Sequence, residues 1–419
     1  MSPEVKPPAD DKPPINITGE YPATTERDQV GKLVVLMITA FIDMLGVLMI
    51  IPLLPFYAKD LGANGMLVGF LVSSFSIAQL VSAPLWGRFS DKYGRRPALL
   101  VGLTASAIAY LVFAYADSLW LLFLSRLIQG AGGGTVSVIQ AYVADAVRPQ
   151  DRAKALGWLS AATNAGVALG PVVPIIVKDL GRHAPGLIAA GFCVLNMIFA
   201  SKYLVEVRKP GGDEKKRLPG RNRAAVLHVL TRPTEPASRL IQIYALSIGA
   251  FQGTTAILAL FLAWRFGVTK ETIGFFFMYI GVLSVVTRAW LLGKMLDRFG
   301  EARLSRWGLV LLAAGLVGLS FSHDYVTLAL SVGLMPLGTA FTFPGVTALL
   351  SKVISSSERG LYMGVQQTYG GITRVAFPPL LGVAFDRLGH QSPLWISATV
   401  VLGTLLLGRD LEKYGGRRG

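Results

Sequence analysis

Asp43, Arg126 and Arg374 stand inside long apolar stretches, where an ionised side chain is costly and marks a functional position by default. Counted from Lys32 at about 1.5 Å per helical residue, Asp43 falls near the middle of a bilayer. A carboxylate at that depth can load and release a proton; the plainer alternative is a structural ion pair or a polar packing contact. Arg126 enters its own stretch from the opposite side, at a depth that could reach Asp43 as a counter-ion. Arg126, Gln129, Gly133, Ser137 and Gln140 make one polar stripe at helical spacing, as do Thr39, Asp43 and Gly46, and Gln242, Gly249 and Gln252. Such stripes must face protein or a wet cavity. Arg374 shares a face with Gln367, Gly371 and Pro378, and its half of the chain offers no intramembrane acid. It either pairs with Asp43, faces the cavity and attracts an anionic or zwitterionic group, or snorkels to the nearer surface. Arg288, close to Gly293, is expected to snorkel.

These residues need elements that hold them in a bilayer, and composition supplies them. The chain has 419 residues, 52% hydrophobic and 16% charged, against about 25% charged in soluble domains. Apolar runs long enough to cross about 30 Å of hydrocarbon recur at 32–57, 65–86, 97–116, 119–144, 153–177, 184–205, 239–263, 271–292, 304–322, 325–351, 360–385 and 392–408. The expected fold is all-α and integral to the membrane, with twelve spans in two pseudo-symmetric six-helix bundles, 31–205 and 239–408. A linker at 206–238 joins them, with tails at 1–30 (expected to be disordered) and 409–419.

The net charge of +15 could suggest nucleic acid, but its placement argues against it. Arg88, Lys92, Arg95 and Arg96, then Arg148, Arg152 and Lys154, then the stretch 208–239 and Lys294, Arg298, Arg303 and Arg306 occupy alternate loops. The opposite loops hold only Lys59, Lys178, Arg182, Arg265, Lys270 and Arg387. That asymmetry puts both termini in the cytoplasm, so Asn16 in its sequon would never meet a glycosylating enzyme. One cysteine, Cys193, excludes an internal disulfide.

The halves echo each other. Gly87–Gly94 recurs as Gly293–Gly300, an offset of 206 (293 − 87); Gly130 matches Gly338 (338 − 130 = 208) and Pro171 matches Pro378 (378 − 171 = 207). The glycines of Gly130–Gly134 have no preceding strand and no Lys-Ser/Thr after them, so they read as helix packing rather than a phosphate loop.

Four segments resemble the major facilitator superfamily, in particular its twelve-span drug:proton antiporter branch, which includes the tetracycline exporters. They are Leu45-Gly46 with Pro52-Leu53-Leu54-Pro55; GRFSDKYGRRP at 87–97; RLIQGAGG at 126–133; and Gly157, Gly166, Gly170 and Pro171 at antiporter-motif spacing. Pro174-Ile175 stand where that motif ends in a glycine pair, and helices 3 and 9 lack the further acids of tetracycline exporters. The resemblance implies that helices 1, 4, 7 and 10 line a central cavity. It also implies that pairing and unpairing of Arg126 with Asp43 couples protonation to conformation.

The 87–97 segment reads as a gate. Gly87 and Gly94 are expected to let the chain reverse, Asp91 to cap or pair across the halves, and Arg95 to reach Asp145. Those pairs should hold an outward-open state and break when the cytoplasmic side opens. The function expected is proton-coupled antiport of a small amphipathic compound by alternating access at the plasma or inner membrane, by a monomer without cofactor or metal. Alternatives are a proton symporter or facilitator for a metabolite, and a transporter-like sensor or assembly factor. No nucleophile–base set, metal cluster or nucleotide loop suggests an enzyme.

Overall fold

The computed structural model describes residues 26–147, 151–206, 221–356 and 358–409. Most of the N-terminal tail with Asn16, linker residues 207–220 and the C-terminal tail beyond 409 lie outside the described residues.

Eight stretches are long and apolar enough to cross a membrane. One of them, Ile273–Phe321, is two spans joined by a kink at Gly300, giving nine. The other three escape a hydropathy criterion for separate reasons. Span 4 is broken into Leu119–Ala131 and Thr135–Ala146 at its glycines, span 11 (Arg359–Arg387) carries Gln366, Gln367 and Arg374, and span 12 (Ser392–Leu407) has only 16 residues. Twelve spans result.

Span 1 comprises Glu26–Ile50 and Leu54–Asp60, span 2 is Gly65–Tyr93, span 3 Arg95–Ala114, and span 5 Arg152–Leu169 with Val172–Ile176. Span 6 is Ala184–Tyr203, span 7 Pro236–Phe266 and span 10 Tyr325–Val353. Span 8 starts at Ile273–Val286 and passes through a π-helical turn, Thr287–Leu291. The linker holds a helix of its own, Arg221–Thr231, tied to span 11 by Tyr369 Oη donating to the Val226 carbonyl at 2.9 Å.

Helices outlast the apolar runs. Residues 87–93, expected in a loop, are the last two turns of span 2, because charged residues at a helix end reach water without breaking the helix. The reversal is left to Gly94, at φ +105°, where a side chain would be strained. All six positive-φ residues described are glycines, and they pair between halves: 62 with 267 (267 − 62 = 205), 94 with 300 (300 − 94 = 206) and 181 with 389 (389 − 181 = 208).

Within the N-terminal half, span 1 packs on spans 5 and 6, span 3 on 4 and 6, and span 2 on 4; in the other half span 9 packs on 10 and 12, and span 7 on 11 and 12. The halves meet along span 2 with span 11 and span 5 with span 8. We call the end carrying Glu26 and Arg409 the termini face and the other the far face. One apolar core runs through both halves, from Met49, Tyr57 and Leu71 to Ile257 and Leu381, and in the C-terminal half it extends to the termini side at Val229, Leu240 and Leu350. The termini side of the N-terminal half has a separate core around Leu36, Leu103, Ile139 and Tyr142.

Candidate transport site

Asp43 is buried, on the face of span 1 opposite the exposed Val34 and Ile38. Beside it stands Tyr110 of span 3, which lies within electrostatic reach of Asp43, Arg126 and Cys193. Its ring packs on Gly46, one turn from Asp43, where a Cβ would come within 3.3 Å. Its hydroxyl accepts a hydrogen bond at 2.7 Å from Gln129, one turn from Arg126.

The expected contact between Asp43 and Arg126 is not made. Arg126 lies over the Phe75 ring at 5.7 Å, and among the described residues no cation is within 4 Å of Asp43. Tyr110 bridges the neighbours of both residues and takes up the ground a direct pair would need. An uncharged aromatic in an apolar run gives no signal for such a role. Thr39 is buried; its carbonyl accepts from Asn196 at 3.1 Å, while its hydroxyl, Gln129 Oε1 and Arg126 Nε are buried without a protein partner. Gln140 lies apart from this group, in a cleft of about 310 Å³ shared with Ala40, Leu159, Ser160 and Thr163.

In the C-terminal half, Gly249 packs on Thr373 and Phe377, which turns the Gln242–Gln252 face of span 7 toward span 11. Both glutamines are half-buried. Gln367 donates to Tyr244 Oη at 3.4 Å. Arg374 occupies a strip of span 11 between two packing rows. Gly371, Val375 and Pro378 meet span 2, and Gly370, Thr373 and Phe377 meet span 7. The opposite face carries the exposed Ile372, Ala376 and Leu380 and belongs to lipid. Arg374 therefore points between the halves, half-buried, with Nε unpartnered. Arg288 is exposed; it sits in the π turn of span 8 and donates to Asn164 of span 5 at 3.4 Å.

The contacts between halves concentrate toward the far face. Gly69 abuts the Pro378 carbonyl, and its repeat counterpart Gly274 abuts the Pro171 carbonyl. Ser73 donates to the Val375 carbonyl at 2.7 Å, and Asp386 accepts from the backbone N–H groups of Gly65 and Met66, each at 2.9 Å. Continued toward the termini face, these rows reach Gly87 on span 2, Gly157 on span 5 and Gly364 on span 11, each exposed with open space around it. The halves part there. Gly87 therefore does not serve the chain reversal; it lies on the row that faces span 11.

Arg95 reaches Asp145 as expected, and Asp91 bonds Arg95 of its own half. Buried Arg95 bonds Asp91 and Asp145, each at 2.9 Å, while the halves stand apart on that side. Glu206 completes the corner by accepting the N–H groups of Arg95 at 3.0 Å and Arg96 at 2.9 Å, capping span 3. In the antiporter segment, Gly166 abuts the Phe41 carbonyl, and a Cβ at Gly170 would lie 2.7 Å from the Leu45 carbonyl. Two of the segment's glycines thus seat span 5 on span 1.

Two pseudo-symmetric bundles enclosing buried charge define a membrane transporter. The family model of the Major Facilitator Superfamily matches residues 36–291 and 240–414, and the chain belongs to that superfamily. It is 25% identical over 370 residues to the class B tetracycline resistance protein of Escherichia coli, covering 88% of this chain and 91% of the relative. It is 26% identical over 375 residues to multidrug resistance protein 1 of Bacillus subtilis (strain 168), covering 89% and 95%. The nucleoside transporter NupG shares the fold at TM-score 0.76 and 14% identity, over 92% of this chain and all of that one. Such relatives place the chain among multi-pass transporters of the plasma membrane, consistent with the drug:proton antiporter branch.

Proposed function

We propose that this chain is a proton-coupled antiporter, working as a monomer, that exports a small amphipathic compound by alternating access, with both termini in the cytoplasm. Resistance proteins among its relatives support export. With that orientation, the far face is extracellular and closed, and the cavity opens to the cytoplasm, where a cargo would enter. The carrying observation is Asp43: a carboxylate buried within the spans with no cation at contact distance among the described residues, so a proton or a cargo settles its charge. Tyr110, Gln129 and Arg126 form its surroundings, and the 2·11 and 5·8 interfaces are the surfaces that rock. Symport is the second reading. It is favoured by arginines that have no carboxylate partner, because an anion beside them and a proton on Asp43 would help each other bind.

The test uses purified protein in liposomes with an imposed pH gradient and a panel of cationic, neutral and anionic amphiphiles. Wild-type protein should show substrate-induced proton flux, and Asp43→Asn should lose it. Intact flux in that variant would remove Asp43 from the coupling.

A further inference from the structure

The bilayer-embedded parts of the spans hold more positive than negative charge. Away from helix ends, the described spans carry one carboxylate, Asp43, and three guanidiniums, Arg126, Arg288 and Arg374. None of the three lies within 4 Å of a carboxylate among the described residues. Arg126, only 4% exposed, has the Phe75 ring beside it and a free Nε; Arg374 is half-buried with a free, buried Nε; Arg288 is exposed and donates to the neutral Asn164. Unlike a lysine, a buried arginine cannot relieve this cost by shedding its proton. Compensation for the buried Arg126 charge must therefore come from a group outside its own contacts, and the space between the halves, toward which Arg374 points, is open to a mobile molecule.

We infer that the cavity selects organic anions, and that Arg374 takes the cargo's negative group, with Arg126 and Arg288 adding to the positive field. The inference rests on the transport reading above. Arg374 is placed for this by its strip between the packing rows of span 11, which aims it between the halves at mid-span. Its planar fork matches a carboxylate or sulfonate with two parallel hydrogen bonds. Two turns away on the same strip, Gln367 bonds Tyr244, whose ring packs edge-on against Phe343 at 5.4 Å, an aromatic wall for the cargo's apolar body. A cation would meet the guanidinium of Arg374 at a disadvantage.

The probes are naphthalene-2-sulfonate and (2-naphthylmethyl)trimethylammonium, alike in ring and opposite in charge. Equilibrium binding to the full chain in lipid nanodiscs, corrected with empty discs, should favour the sulfonate by about tenfold or more. Arg374→Gln should weaken the sulfonate by about ten- to a hundredfold without weakening the ammonium, and Arg374→Lys should restore part of the loss. Preference for the ammonium, binding of neither probe, or a sulfonate preference that survives Arg374→Gln would overturn the inference. Should Arg374→Gln not fold, the wild-type preference and the Arg374→Lys affinities still decide. Transport of the same probes in liposomes under a pH gradient separates the two readings. Sulfonate preference without gradient-driven exchange overturns antiport and leaves the anion site; gradient-driven exchange of the ammonium alone does the reverse.

Discussion

Gly69 of span 2 lies against the carbonyl oxygen of Pro378 on span 11, with no room for a methyl group between them. Overpacking such a contact costs about 1–3 kcal/mol, enough to shift a two-state balance tenfold or more. Gly69→Ala should therefore move the population toward a molecule open at the far face. The distance between spin labels at Ala63→Cys and Leu388→Cys reports this directly and should lengthen. Gly87→Ala, where a Cβ meets nothing, should leave that distance unchanged but slow turnover, because the same row must close in the other half of the cycle. Equal distance changes in the two variants would contradict the rocking model.

Asp386 works at the same interface by a different force. Its carboxylate accepts two backbone N–H groups at the start of span 2, and charge-assisted bonds of this kind contribute about 1.5–3 kcal/mol each. Asp386→Ala should open the far face more than Gly69→Ala does. A thiol probe at Ala63→Cys should then react faster from the outside. An unchanged reaction rate would mean the bond does not hold the gate.

Tyr110→Phe removes the hydroxyl that Gln129 bonds, at a cost of about 1 kcal/mol. The variant should melt slightly lower in detergent and transport several times more slowly, while Asp43→Asn should abolish gradient-driven transport altogether. Wild-type turnover in Tyr110→Phe would reduce the tyrosine to packing.

The linker helix supplies a pH test outside the membrane. The Glu235 carboxyl is held below the usual carboxylate range, chiefly by the hydrogen bond with His228 and then by Arg232. A depressed pKa stabilises the folded arrangement above the ordinary value of about 4.3, and that contribution is lost as pH falls through the depressed one. Hydrogen exchange in 221–231 should accelerate across that window, and Glu235→Gln should flatten the response.

Apolar length and charge placement were enough to read the twelve spans and their two halves, since a helix must bury its backbone to cross lipid. The offset near 207 also runs through the contacts themselves: Gly69 with Pro378 and Gly274 with Pro171 are one contact made twice. Three things were not legible. Helix ends ran past the apolar limit, which put Gly87 in a helix. Asp43 and Arg126 could be placed at similar depth, but depth says nothing of azimuth, and Tyr110 from a third helix occupied the gap. Asp386 lies just past the apolar run 360–385, where nothing in the sequence marks a carboxylate that accepts from the backbone of span 2.

The surplus of guanidiniums over carboxylates also bears on voltage. A rocking carrier drags its fixed charges through part of the membrane field, and each full elementary charge moved is worth about 2.3 kcal/mol per 100 mV. With an anion aboard, the moving unit is closer to neutral; without one it is a net cation. The resting potential would then act on the empty carrier more strongly than on the loaded one, so the return stroke, rather than the delivery of cargo, would set how turnover answers to membrane polarisation.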